Sequence, residues 1–512
     1  MSATEAHSEN AAQRRNSQTS EISAASIVGE QQVEGAVRNA CQWAWHVVKS
    51  ISVEPTMFLY MFAFMITSVV EQNFFLYKSC RVNNNFTEEI CRNLNKAENE
   101  YFKNKSLLTN AWFLQWENIS AHIFPIILAL FWAPSRIGGA GSCHCSWDWM
   151  PSWPVQNIIF SATLPSALTG ADVAIFASCF AYISDISTVQ QRTIRVTILD
   201  VVYLTAMPLG VALGSHLFYN VFNQSYADMF TVNASLLALA IIYSLCALKW
   251  QTTPKQRSLR ELGCCGFWGD FFDKQHVRDS LAVLVKPRKG HRRSFLIILM
   301  ISMALYTFQR DEGHYLYMYT LDKFDWDVSA YSNFKTFKSS AYVIAMLLAV
   351  PLMNKILGWR DTTIIFIGTW AHSIARLFFY FATNTDLLYA GAVVCSLGPI
   401  VGPMIRAMTS KIVPISERGK VFALLSVCDN AVPFISGVCY SQLYQKTKTS
   451  NYGGNVFMLT IATQVAVFVM ILCIHVVLGK NSLAVPEVPE KESGLICQKE
   501  DGLVIPNEED KS

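Results

Sequence analysis

Eight residues lying within or beside long apolar runs could do chemistry. They are Asp172 in LTGADVAIF, Asp200 at the end of RTIRVTILD, the run Gln309, Arg310, Asp311, Glu312 and His314 between LYTF and YLYMY, and Arg406 in GPMIRAMTSK. An ionisable group in the membrane interior costs about 2.5–3.5 kcal/mol on insertion scales, so such groups face a cavity and serve as ligands, ion partners or proton carriers. A carboxylate whose surroundings differ on the two sides of a membrane can load a proton on one and release it on the other. A guanidinium in a partly dry cavity grips a carboxylate through two parallel hydrogen bonds, which suits an organic anion. Each site also has a plainer reading. Asp200 can pair with Arg192 or Arg195 near the interface, and Asp172, beside the small Gly170 and Ala171, can make a structural hydrogen bond across the N-terminal helices. Arg406 can mark the cytoplasmic boundary together with Lys411. In the 309–314 run, helical spacing sends Arg310 and His314 to one face and Asp311 and Glu312 away from it. The run either lines a cavity, with His314 as a second pH sensor, or marks the outer end of a span with YLYMYTL as an aromatic belt. Glu71, His372, Arg376 and Asp429 are also ionisable and apolar-flanked, and simple pairing explains each of them more readily than transport does.

The fourteen cysteines are scattered with no CxxC…CxxC pairing, which argues against a zinc module. Cys143-His144-Cys145 is no metal site, because adjacent residues do not easily converge on one tetrahedral ion and no fourth ligand is near. Cys80 and Cys91 lie in one loop and form a plausible local disulfide if that loop faces an oxidising compartment. Three sequons, at Asn85, Asn104 and Asn223, offer glycosylation sites, while those at Asn118 and Asn233 fall within spans.

The elements that must position these residues follow from composition. With 512 residues, 52% hydrophobic and 15% charged, the chain is too apolar for water, and its mean hydropathy is +0.27. Its formal net charge of +3 leaves no basic face for a run of phosphates, which excludes nucleic-acid binding. Stretches of about 20 apolar residues occur at 56–77, 112–133, 157–182, 196–219, 229–248, 294–318, 332–353, 362–382, 387–409, 419–444 and 455–479. These predict an all-α polytopic membrane protein with eleven clear spans. Between the fifth and sixth spans, residues 249–293 carry eleven Lys and Arg against four acids, so this loop is expected in the cytosol. Residues 1–37 lack an apolar core of the kind a signal peptide needs, which predicts a cytosolic N-terminus. The second half then closes with its tail in the cytosol and the three sequons outside. The first half needs one more crossing, and the interval 134–156, rich in Gly, Ser and Pro, does not read as a regular membrane helix. The expected organisation is a tail over 1–52, a helical bundle over 53–248, the basic loop over 249–293, a second bundle over 294–480 and an acidic tail over 481–512. Two six-helix bundles joined by such a loop are the architecture of major facilitator transporters.

The stretches VEPTMFLYMFAF at 53–64, SCFAYISDIS…QRTIRVTILD at 178–200 and GPMIRAMTSKIVPISERGKVFA at 402–423 resemble solute carrier family 46, over roughly residues 53–480. The resemblance implies the major facilitator fold, with Asp200 in the place of an acidic residue that couples protons and Asp172 matching a family Asp. It implies Arg406 in the place of an arginine linked to substrate binding and proton affinity. Gln309 stands where the proton-coupled members have a histidine that assists coupling, which points to a different substrate or a rearranged proton relay. FWAPSRIGGAG stands where the facilitator signature between spans two and three is expected. Either the third span has decayed, or the coding sequence carries a splicing or frame error. The family links its first outer loop to the loop after span seven through a cysteine, and LDKFDWDVSAYS has none.

The expected function is secondary active transport of an organic, anionic solute, folate-like or otherwise small and amphipathic or peptide-like, by alternating access with protons as the coupling ion. No Walker A, HExxH or GxSxG motif in a suitable context supports an enzyme. No cofactor is implied, and the partners are a small solute, protons and the bilayer. Plasma and endolysosomal membranes both fit. A non-transporting receptor or scaffold derived from a transporter is the alternative.

Overall fold

The computed structural model describes residues 52–132, 153–170, 175–176, 178–179, 182–183, 186, 189–248, 278, 282–288, 291–448 and 453–479. Asp172, the Cys143–Cys145 triplet and 134–152 of the irregular interval lie outside the described residues.

Among the described residues every regular element is helical. The N-terminal half contains α1 (Glu54–Lys78), prolonged by a wide turn to Asn83, α2 (Glu100–Trp132), the short α3 (Leu164–Leu168), α4 (Val189–His216) and α5 (Tyr226–Ala247). The C-terminal half contains α6 (Arg292–Thr307), α7 (Glu312–Phe324), α8 (Val328–Pro351), α9 (Asp361–Phe381), α10 (Thr385–Cys395), α11 (Val401–Ile412), α12 (Ile415–Lys448) and α13 (Val456–Leu478). Seven described stretches are long and apolar enough to cross a membrane: Glu54–Asn83, Ile198–Val221, Tyr226–Ala247, Asp361–Phe381, Thr385–Ile412, Lys420–Lys448 and Val456–Leu478. Helix starts follow local chemistry. Pro55 sits in the first turn of α1, where its missing N–H is no loss. The carboxylate of Asp327 accepts from the Ala330 N–H at 2.8 Å to cap α8, and Asn384 caps α10 by accepting from Leu387.

Two crossings are broken in mid-course. A 3₁₀ turn over Phe308–Asp311 separates α6 from α7, and another over Gly398–Ile400 separates α10 from α11. Such interruptions in a membrane helix are tolerated where the freed backbone is buried in protein or lines a cavity.

Within the N-terminal half, α1 packs on α4 and α5. The approach to α4 is close enough to need glycine, since a Cβ on Gly214 would fall 1.9 Å from the Ile66 carbonyl oxygen. Between the halves, α2 packs on α12 and α4 on α8. One apolar core joins both halves around Met57, Phe74, Phe113, Tyr317, Phe334 and Tyr440, and a second, around Leu296, Ile364, Ile405 and Ile471, belongs to the C-terminal half alone.

The polar contacts between halves follow the same asymmetry. Cys80 and Cys91 are disulfide-bonded and identify one end of the bundle. On that side Lys103 of α2 pairs with Asp325 at 2.7 Å, and Tyr219 donates to Asp327 at 3.3 Å. Tyr317 donates to Asn73 at 3.0 Å, Ser441 to the Ala111 carbonyl at 2.7 Å, and Lys335 to Ser68 at 2.9 Å. At the other end, Lys286 and Arg288 of the central loop pair with Glu417 and Lys411 pairs with Asp361, so none of these described ion pairs joins the N-terminal half to the C-terminal one. Among the described residues the halves are therefore pinned together at the disulfide end. This is the asymmetry an alternating-access protein has when that end is shut.

Candidate functional site

The break between α6 and α7 gathers the buried charged side chains described in the C-terminal half. Asp311 and Glu312 leave the break toward the interior of their own half and find partners on three helices. Ser436 of α12 donates to Asp311, and Thr460 of α13 donates to Glu312. Arg376 of α9 donates from Nε to Glu312 at 3.1 Å, with both side chains almost wholly buried. The guanidinium has further partners: it reaches Nδ1 of His372 at 2.8 Å, the sulfur of Cys395 at 2.9 Å and Oε1 of Gln309 at 3.3 Å. A buried arginine is tolerated only when its donors are used, and here most of them are. The His372 ring fits against Gly398, where any Cβ would come within 2.3 Å of it. The glycine in the α10–α11 break thus makes room for the imidazole.

With its neighbours so held, Arg310 is exposed and makes no hydrogen bond among the described residues. An exposed guanidinium midway along a membrane crossing faces an aqueous cavity rather than lipid. Tyr315, Tyr317 and Tyr319, one turn further on, are each at most 3% exposed. They are core residues rather than an interfacial belt, and Asp311 and Glu312 of the ionisable run lie inside the protein. His314 is half-buried, and its Nδ1 has no hydrogen-bond partner.

A second constellation lies toward the other end. Arg406 of α11 donates from Nη2 to Asp429 of α12 at 2.8 Å, and Thr307, the last residue of α6, donates to the other oxygen of Asp429 at 2.9 Å. The Arg406 side chain is 48% exposed and that of Asp429 16%, so the arginine keeps donors free toward solvent. Asp200 of α4 is exposed and interacts electrostatically with Arg406. The cation is therefore ion-paired with a carboxylate of its own half and within electrostatic range of one of the opposite half. Arg406 does not share the partner of Lys411, which pairs with Asp361 at 2.5 Å.

Of the sequence-selected residues, the structure thus brings Gln309, Asp311 and Glu312 into the buried network and Asp200 and Arg406 into reach of one another. Arg310 and His314 share a different face. Asn85 and Asn223 are exposed and adopt positive φ, while Asn104 is part of α2 and half-buried. Thr460 and Ser436 join the buried network without having been marked by any sequence signal, because a hydroxyl in a span has no pattern. Arg376 and Asp429 did carry a signal, namely charge inside an apolar run. No described group of three His, Cys, Asp or Glu side chains could hold a metal.

Comparison with known proteins adds the following. Residues 315–498 match the Major Facilitator Superfamily profile. The lysosomal proton-coupled steroid conjugate and bile acid symporter SLC46A3 of Gallus gallus is 25% identical over 430 residues, 78% of this chain and 88% of that protein. The probable peptidoglycan muropeptide transporter SLC46 of Drosophila melanogaster is 23% identical, covering 78% and 81%. The proton-coupled folate transporter of Bos taurus is 26% identical over 55% of this chain and 58% of its own length. Among solved structures, the human organic anion transporter MFSD10 superposes with a TM-score of 0.55 at 15% identity, over 82% of this chain and 97% of that one. A D-xylose-proton symporter gives 0.51 at 12% identity, covering 82% and 95%. These likenesses run through both halves of an all-helical bundle with paired broken crossings. The chain is similar in sequence to transporters of solute carrier family 46, and its C-terminal half to the Major Facilitator Superfamily.

Proposed function

We propose that this transporter carries an organic anion in symport with protons, with Arg406 as the ligand of the anionic group and Asp200 as the coupling carboxylate. The observation that supports this most is Arg406 itself, about half exposed with donors to spare, ion-paired with a carboxylate of its own half and within electrostatic range of one of the other. An anion seated on Arg406 touches both halves, so its binding and the charge state of Asp200 bear on the same rocking motion. Arg310 supplies a second exposed cation on the same half, which favours a solute with more than one acceptor group. The described relatives are named for steroid conjugates and bile acids, muropeptides and folates, which share an amphipathic body and an acidic group. The reading of a non-transporting receptor is not favoured, since these relatives are transporters. Either a plasma or an endolysosomal membrane suits a protein of this family, with the disulfide end toward the acidic side.

The test is uptake of taurocholate, folic acid and a muramyl dipeptide at outer pH near 5.5 and near 7.4, in cells expressing the wild type, Arg406→Ala, Arg406→Lys and Asp200→Asn. The transported probe should lose affinity by about 2–5 kcal/mol in Arg406→Ala. Arg406→Lys should recover only part of it because the two-pronged grip is lost. Asp200→Asn should exchange solute at equal pH yet fail to accumulate it on a gradient. Full uphill transport by Asp200→Asn contradicts its role.

A further inference from the structure

The proposed anion ligand is already partly occupied. Asp429 holds Nη2 of Arg406 and is itself held by Thr307, so its carboxylate stands where a substrate carboxylate or sulfate would otherwise have the arginine to itself. The charges near the guanidinium can be counted. Asp429 contributes one negative charge from α12 and Asp200 one from α4, while Arg406 contributes the only positive one among these three. Tyr306 of α6 and Cys428 of α12 also face this cluster and are neutral when protonated. With both carboxylates ionised the cluster carries a net negative charge, and an incoming anion is repelled. With one proton added it is neutral.

From this arrangement we infer that Asp429 is a built-in competing anion, a positioning residue that acts through Arg406 to make binding of the organic anion conditional on proton uptake. This rests on Arg406 being the anion's ligand. Were Arg406 paired with Asp200 alone, one cation and one carboxylate would cancel, and an anion could bind with or without the proton. The additional carboxylate on the same half removes that latitude. It also travels with Arg406 as the halves rock, since Thr307 ties it to α6 and the ion pair ties it to α11, whereas Asp200 belongs to the other half. The competition is therefore maintained in both orientations of the cavity.

The test is equilibrium binding of labelled taurocholate, folic acid and muramyl dipeptide to the purified full-length protein, at pH near 5.5 and near 7.4. The wild type should bind at least one of them, by about tenfold or more tighter at the lower pH. Asp429→Asn, which keeps the shape and an acceptor oxygen but not the charge, should bind that probe more tightly near pH 7.4 and show a flattened pH dependence. Asp429→Glu should restore the wild-type dependence. Thr307→Val, which removes a hydrogen bond and leaves the charge, should keep it. If none of the probes binds to the wild type at either pH, the anion-site reading fails and the role of Asp429 with it. If the wild type binds with pH dependence and Asp429→Asn shows the same dependence, Asp429 is a structural residue and only this inference is overturned.

Discussion

The side chain most committed to structure is Arg376. It and Glu312 are nearly inaccessible, and the pair is closed by Thr460, His372, Cys395 and Gln309. Removing one member leaves an uncompensated buried charge, which costs about 3–5 kcal/mol. Arg376→Met and Glu312→Gln should each lower the melting temperature in detergent sharply, and the double variant should be less damaged than the sum of the two. Additive losses would show that the two side chains are not coupled. At this scale the sequence was informative about residue type and silent about pairing. Charge in an apolar run marked Asp311, Glu312, Arg376, Arg406 and Asp429, and helical spacing separated Asp311 and Glu312 from Arg310 and His314. What it left open was which cation meets which carboxylate, since Glu312 and Arg376 lie 64 residues apart and Ser436 lies 125 from Asp311. Contacts at such separations are set by packing of whole helices, and local pattern does not encode them.

Among the elements, seven of the eleven stretches that the hydropathy ruler marked return as helices long and apolar enough to cross a membrane, with their ends blurred. It began the second span at 112, whereas α2 starts at Glu100, because Glu100, Lys103 and Lys105 make its first turns polar. Those turns do work of their own, as Lys103 reaches Asp325 and joins the halves where the family's cysteine link is absent. The ruler also read 294–318 and 387–409 as single spans, and the structure interrupts each with a 3₁₀ turn that a sliding average conceals. Lys103→Ala should accordingly weaken closure at the disulfide end. Cysteines placed on α2 and on the α7–α8 connection should crosslink less completely in that variant than in an otherwise wild-type chain, and unchanged crosslinking would assign closure to the tyrosine and backbone contacts instead. A third element-scale tie fastens the segment before α6 to α12. The Glu417 carboxyl is held below its ordinary pKa, first by the hydrogen bond from Lys286 and then by Arg288. A group whose folded pKa is depressed stabilises above its unfolded value and loses that contribution as pH falls through the folded one. Lys286 is largely exposed, so the effect is at most about 1 kcal/mol. The melting temperature of wild type should exceed that of Glu417→Gln near neutrality, and the gap should close on acidification below about pH 4. A gap independent of pH would assign the difference to packing.

Taken as a whole, the described residues form two helical groups fastened together at the disulfide end. The all-helical, membrane-spanning character was legible from hydropathy, and seven of the expected spans return among the described residues. Which end is shut was not, because every inter-half contact joins residues far apart in sequence. The central claim is that the halves rock around an anion bound at Arg406 and that protons drive it. Purified protein in sealed liposomes, with the outer solution near pH 5.5 and the lumen near pH 7.4, tests this most directly. Taurocholate, folic acid or muramyl dipeptide should accumulate in the lumen above its outer concentration, and a protonophore should return it to equality. Equilibration without accumulation, or accumulation indifferent to the protonophore, would contradict proton-coupled transport.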